Sequence, residues 1–337
     1  MDRENIPPFV KSVARATGMA KAYRLLVRRP LNAVETSIRE GGPIEQWKTR
    51  KGKEAMRAAA GELPPLDPPP KHPEGPLTVH FLTGKDFWYQ TLFCFVSLQQ
   101  HCDVRITPVI YGDGTLGARA QNYIRRVVPW ATFVGRDAIE DRLDTHLPAS
   151  RYPTLRRRRL EYVHLRKLTD FHAGNAGWTL VLDSDMLFFD TPTRLVEWLR
   201  EPDAPLHMRD SSESYGHSRA LMEELAGHRI PERINVGIVG LRSDAIDWDT
   251  LEDWCRELIE REGAGYLQEQ ALTAMWMAGR EREVLPRPDY RAFPSLEEGR
   301  SPSAILHHYV SHSERAYFQS GWKRVRQSLE TESRSTD

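Results

Sequence analysis

The stretch WTLVLDSDMLFF, residues 178 to 189, decides the fold. Trp178, Leu180, Val181 and Leu182 read as a strand buried on both faces, as in a parallel sheet covered by helices on either side. That strand runs straight into Asp183-Ser184-Asp185. Two carboxylates at the edge of a low-dielectric core repel one another and need a counter-charge, which a hard divalent cation with oxygen ligands supplies. Strand alternation predicts that Asp183 and Asp185 face the same side and share one ion. The competing reading is that they only cap the turn into the next helix, because Asp-x-Asp alone is a weak signal. Its place at the end of an apolar strand favours the metal. Asp190-Thr191-Pro192 then supplies a cap residue and a first-turn proline, opening a helix with Leu195, Val196 and Leu199 on one face, so Asp190 belongs to the turn.

On the amino-terminal side, LTVHFLT (77 to 83) is an apolar, β-branched run ended by Gly84, and Asp86 is placed to cap a helix reaching His101. VRITPVIYGDG (104 to 114) reads as a second strand, followed by a helix (115 to 128), a short strand ATFV (131 to 134) and a helical pattern from Leu155 to Ala173. On the carboxyl side INVGIVGL (234 to 241) is another apolar strand and Leu267 to Ala278 another helix. Strands alternating with helices predict an α/β fold with a mostly parallel central sheet flanked by helices, and ligands at the carboxyl ends of its strands.

Before residue 76 the chain differs. Lys11 to Arg29 (KSVARATGMAKAYRLLVRR) is basic with interleaved apolar positions, the composition of a surface helix that touches anionic lipid or a partner, or of a solvated helix packed on the main domain. LPPLDPPPKHPEGP (63 to 76) reads as an extended linker. The expected division is a helical extension and linker over 1–75, a catalytic domain over 76–325 and a polar tail over 326–337. With 47 Lys plus Arg against 47 Asp plus Glu, no global field draws the chain to nucleic acid, and no nucleic-acid partner is expected. A hydrophobic share of 40% with 28% charged residues excludes wholly disordered, collagenous and coiled-coil readings. No apolar run approaches the roughly 18 residues of a membrane span, and MDRENIPPFV lacks a secretory signal. Cys94, Cys102 and Cys255 form neither an even disulfide set nor a metal-spaced pair, which fits a reducing cytoplasm. The expected location is cytoplasmic, with residues 11–29 as the segment for peripheral contact at the inner membrane face.

The segment LVLDSDMLFFD resembles the nucleotide-sugar-dependent glycosyltransferases of the GT-A fold, and in layout is most similar to the family 8 glycosyltransferases. Further pieces stand in the family's order: FLTGKDFWYQ, a basic residue upstream of the aspartates, INVGIVGL, QEQALTAM (268 to 275) and ILHHYVSHSERAYF (305 to 318). The resemblance implies Asp185 as main metal ligand, Asp183 as a ligand that also reaches the ribose or donor sugar, and His308 as the third ligand, with His307 as its rival. Strand alternation lets only one of the two histidines face the ion. Two carboxylates and an imidazole suit manganese better than magnesium. The resemblance further places Thr83 at the base or ribose and Arg166 near the diphosphate, with Lys167 beside it; the guanidinium fork favours Arg166. Asn235 then faces the donor sugar or acceptor, Gly237 admits a close approach, and Glu269-Gln270 contact the sugar or acceptor. The family's glycine and lysine after the metal histidine fall at Ser311 and Glu314, so Arg315, or His312, is the replacement cation. Arg156 to Arg159 reads as a solvated face.

The function so implied is metal-dependent transfer of a hexose from a nucleoside-diphosphate sugar to a hydroxyl of a glycan, lipid or protein. Three other readings compete with it. A non-catalytic sugar-nucleotide-binding protein would share the fold. A phosphatase of the haloacid dehalogenase type would use the first aspartate as nucleophile, but Leu187 and the hundred residues of domain before the strand speak against it. A nucleotidyltransferase would show a glycine-rich loop, where FLTGKDFW has one glycine.

Overall fold

The computed structural model describes residues 41–73 and 75–335. The basic segment Lys11 to Arg29 therefore lies outside the described residues. In chain order the elements are α1 (Gly42–Glu62), β1 (Leu77–Thr83), α2 (Trp88–Gln100), β2 (Ile106–Gly112), α3 (Ala118–Val127), β3 (Thr132–Val134), α4 (Arg136–His146), α5 (Pro153–Glu161) and α6 (Arg166–His172). They continue with β4 (Trp178–Leu182), β5 (Met186–Phe188), α7 (Thr193–Arg200), β6 (Leu206–Arg209), α8 (Arg219–Ala226), β7 (Ile234–Arg242), α9 (Trp248–Glu262) and α10 (Gln268–Met277). The last are β8 (Glu283–Leu285), β9 (Tyr290–Ala292), α11 (Leu296–Arg300), β10 (Leu306–His308) and α12 (Trp322–Ser335).

Seven strands form one sheet in the order β3-β2-β1-β4-β7-β6-β8. Every pair in it is parallel except those made by β7, so the mixed α/β architecture with a mostly parallel sheet is present. A smaller sheet has the order β5-β10-β9. Within β4, Leu180 and Leu182 enter one hydrophobic cluster and Val181 the other, so both faces of the strand are buried as its composition requires. Parallel pairing sets Thr83 opposite Gly112 and Phe81 opposite Leu182, which brings the carboxyl ends of β1, β2 and β4 to one edge.

The helix before the linker is part of the same core. Met56, Ala59 and Ala60 of α1 share a cluster with β1 and α2. Gly52 lets α1 pass close to the carboxyl-terminal segment, since a Cβ there would lie 2.0 Å from the Phe318 carbonyl oxygen. The described residues of the proline-rich run before β1 form no helix or strand but are strapped down, with Leu66 N donating to Val127 O and Arg105 N to Pro70 O.

Some sequence expectations change. The pattern from Leu155 to Ala173 is two helices, because Tyr162 leaves the helical region (φ −134°, ψ 97°) as its side chain turns into the core, and a 3-10 turn at Val163–Leu165 restarts the chain. Asp86 does not cap α2, whose first amides are met by the Gly84 carbonyl through Phe87 N and Trp88 N. Half of the Arg156–Arg159 run is buried: Arg159 pairs with Asp170 and Glu140, and Arg158 donates to Gln268 and the Gly265 carbonyl. All three cysteines are free and buried. No described helix is long and apolar enough to cross a membrane.

Candidate metal centre

The chain passes from the large sheet to the small one through Asp183-Ser184-Asp185. β4 stops at Leu182 and β5 starts at Met186, so the two carboxylates converge at a crossing rather than along one regular strand. Asp183 N donates to the Gly237 carbonyl on β7, and Tyr309 N donates to the Asp185 carbonyl. β10 pairs with β5 so that His308 stands opposite Met186, which delivers a residue distant in sequence to the aspartates. His308 Nε2 lies 3.2 Å from Asp185 Oδ1 and 3.8 Å from Asp183 Oδ2. Ligand atoms of these three residues lie within 4.8 Å of one another, a span one ion can bridge. The carboxylates are 27% and 33% exposed while the imidazole is 4% exposed, so the cluster is walled on the histidine side and open on the other. His307, on the opposite side of β10, packs its ring edge-on against Phe189 and meets the Tyr309 hydroxyl at 3.1 Å.

Residues behind His308 fix its tautomer. Asn235 Nδ2 donates to Asp210 Oδ2 (3.1 Å), while Asn235 Oδ1 accepts from Gly237 N (2.9 Å) and lies 3.2 Å from His308 Nδ1. An amide whose nitrogen is committed to a carboxylate and whose oxygen already accepts a backbone proton can only accept from the imidazole. Nδ1 therefore carries a proton in either state, which leaves Nε2, on the carboxylate side, as the nitrogen whose lone pair a metal would take once its proton is displaced, the orienting arrangement of a metal-ligating histidine. Gly237 makes room, because a Cβ on it would lie 2.3 Å from His308 Cε1. Asp210→Asn is expected to weaken manganese binding by about 10- to 100-fold with little change in melting temperature. Isothermal titration of the variant checks this, and unaltered affinity would count against the orienting role.

Lys167 sits fully inside the protein on α6. Its Nζ donates to Asp183 Oδ1 (2.8 Å) and the Val236 carbonyl (3.3 Å), and lies 3.6 Å from Glu269 Oε1. Burial alone would drive its proton off, but Asp183 and Glu269 outweigh that and raise its pKa. Burial pushes the Glu269 carboxyl up to about 7, opposed by Lys167 and aided by Asp183. For His308, burial favours the neutral ring, yet Asp185 and Asp183 together raise its pKa. Burial would likewise push Asp185 up, and the His308 charge and hydrogen bond hold it below its ordinary range. Without a cation the imidazole thus holds a proton that a metal must displace. Manganese affinity is expected to climb with pH, by about tenfold per unit, until His308 titrates, and then to level off. Calorimetry in buffers of different ionisation enthalpy should find near one proton released per ion bound; affinity flat with pH would contradict it.

The aspartates and Lys167 line a cleft of about 170 Å³ with Thr83, Asp113, Lys53 and Glu314. Thr83 is buried at its wall and accepts from Thr91, whose hydroxyl also meets Ser184 (2.8 Å). Arg166, one residue before Lys167, turns away and donates to the Asp113 carbonyl (2.6 Å), in a separate cavity that also holds Arg125, Arg136 and Arg159. Arg315 pairs with Glu45 of α1 (2.9 Å), and His312 stacks on Phe293. Gln270 donates to the Ser214 carbonyl (2.8 Å), on the loop between β6 and α8. Asp210 and Lys53 are the site residues that sequence reasoning passes over. Asp210 follows β6, whose sequence LHMR carries a histidine and an arginine and so offers no apolar strand end to mark it as WTLVL marks Asp183. Nothing local marks Lys53.

No protein-family model matches the chain, and no curated protein does. Among solved structures it is similar to mouse xyloside xylosyltransferase 1, with a TM-score of 0.47 at 11% identity over 70% of this chain and 98% of that one. It is also similar to the galactosyltransferase LgtC in complex with donor and acceptor sugar analogues (TM-score 0.47, 12% identity, 75% and 95%). A third is the bifunctional glycosyltransferase WbbM (TM-score 0.44, 10% identity, 78% and 52%). Likenesses of this size say nothing of substrate, which must be argued from the side chains.

Proposed function

We propose that the chain is a metal-dependent glycosyltransferase of the GT-A type, moving a hexose from a nucleoside-diphosphate sugar to a hydroxyl acceptor. The convergence of Asp183, Asp185 and His308 at the open mouth of a cleft, beside the carboxyl ends of β1 and β4, carries this reading. Its two oxygens and one nitrogen suit manganese, and the three donors fit one ion without rearranging the fold. When bound, the cation acts as a Lewis acid toward the departing diphosphate.

The chain's own residues do the rest. In the reaction the bond between the anomeric carbon and a diphosphate oxygen breaks, its electron pair leaving with the diphosphate. A new bond forms from the acceptor oxygen to the same carbon, and the acceptor's proton is released. Lys167 holds Asp183 in place and adds positive charge behind it. Asn235 and Asp210 aim His308. Glu269, kept near neutrality by burial, sits behind Lys167, and Gln270 ties α10 to the loop between β6 and α8, which this reading gives to the acceptor. Thr83, in the cleft wall, is the hydroxyl assigned in this reading to the nucleoside. Three buried thiols accord with a reducing cytoplasm.

A thermal-shift panel of nucleoside diphosphates with and without manganese tests this. One nucleotide should raise the melting temperature only when the metal is present, because a ligand selective for the native state stabilises it. No shift with any nucleotide, or an equal shift in the presence of a chelator, would refute the reading.

A further inference from the structure

We infer that Lys53, on the helix that precedes the sheet, is a donor-phosphate contact, so that α1 completes the nucleotide cleft. The inference rests on the glycosyltransferase reading above.

Charge in the cleft motivates it. Asp113, Asp183, Asp185 and Glu314 line the wall, against the two ammonium groups of Lys53 and Lys167. A divalent ion offsets Asp183 and Asp185, and Lys167 is already engaged by Asp183 and Glu269 inside the protein. The negative charge of a diphosphate would then face Asp113 with little to balance it. The nearby guanidinium groups are committed elsewhere: Arg315 to Glu45, Arg166 to the Asp113 carbonyl. His164, also in the wall, is pushed toward its neutral form by burial and by Lys167. Among the described residues, Lys53 is the remaining cation on that wall.

Its position is fixed by packing. Gly52, the residue before it, lies against the Phe318 carbonyl, where a Cβ would be 2.0 Å from the oxygen. Met56, Ala59 and Ala60 anchor the same helix in the core, and Glu45 ties it to Arg315 and Gln319. The Lys53 ammonium rests 5.6 Å from the centre of the Phe318 ring, a residue that lines the same cleft. An ammonium on a flexible four-carbon stem can swing from that ring onto a phosphate oxygen without moving the helix.

The test is titration of uridine and guanosine diphosphate, each with manganese, into the parent protein, Lys53→Ala, Lys53→Arg and Lys51→Ala. Lys51 is an exposed control on the same helix, paired with Glu54. Lys53→Ala should weaken the bound diphosphate about tenfold or more and flatten its salt dependence. Lys53→Arg should restore most of the affinity, Lys51→Ala should bind like the parent, and the ligand-free melting temperatures should agree. A parent that binds while Lys53→Ala binds equally well overturns this inference alone. A parent that binds neither nucleotide overturns the glycosyltransferase reading and this inference with it.

Discussion

Asp185→Ala is expected to lower metal-dependent sugar transfer by about a thousandfold or more while leaving the protein folded. The carboxylate is the closest to His308 Nε2, and with Asp183 it forms the open oxygen side of the cluster. Its backbone carbonyl, which accepts from Tyr309 N, survives the substitution, so the crossing from β4 to β5 keeps its register. The lost oxygen costs charge stabilisation that matters most as the diphosphate departs, and excess manganese restores only part of it. Turnover of the nucleotide sugar at saturating manganese, beside a thermal melt, checks both halves. Parent-like turnover would mean that Asp185 holds no catalytic ion.

The second large effect concerns stability. Lys167→Met is expected to destabilise the fold by about 3 kcal/mol, because it strands Asp183 without its buried counter-charge and forces Glu269 to take up a proton. Adding Glu269→Gln should recover part of the loss only well above pH 7, where Glu269 would otherwise ionise without its lysine. Glu269 also sets a pH signature. Its folded pKa is near 7 against 4.5 as its ordinary value. Between those values the folded state keeps a proton that the unfolded chain has released, so stability falls as pH rises through the window. The parent should lose stability there relative to Glu269→Gln, by an amount of order 3 kcal/mol. Denaturant melts of the parent and both variants across that range measure it. A constant difference between parent and Glu269→Gln would show that Glu269 ionises normally.

The sequence carried the frame of this site more clearly than its cations. WTLVL is apolar throughout because both faces of β4 are covered, so the strand and the aspartates after it can be read locally. Alternation along β10 separates His307 from His308, but which one meets the aspartates depends on pairing with β5 across 120 residues, which only the fold supplies. The preference for Arg166 over Lys167 rests on its guanidinium fork, which says nothing of where either side chain points. In the fold Lys167 faces Asp183, while Arg166 donates to the Asp113 carbonyl. Asp210 reaches Asn235 through the antiparallel pairing of β6 with β7, at a shift in register between His207 and Met208 that composition does not announce. Arg315 was drawn off by Glu45, 270 residues away in a helix that reads as an appendage and is instead part of the core.

The most direct measurement is anomalous diffraction from crystals soaked in manganese and uridine or guanosine diphosphate. A single manganese peak bounded by Asp183, Asp185 and His308 Nε2, with diphosphate oxygens on its open side, is the predicted result. No metal at that corner, with the carboxylates still closed on the imidazole while nucleotide is bound elsewhere, would contradict it.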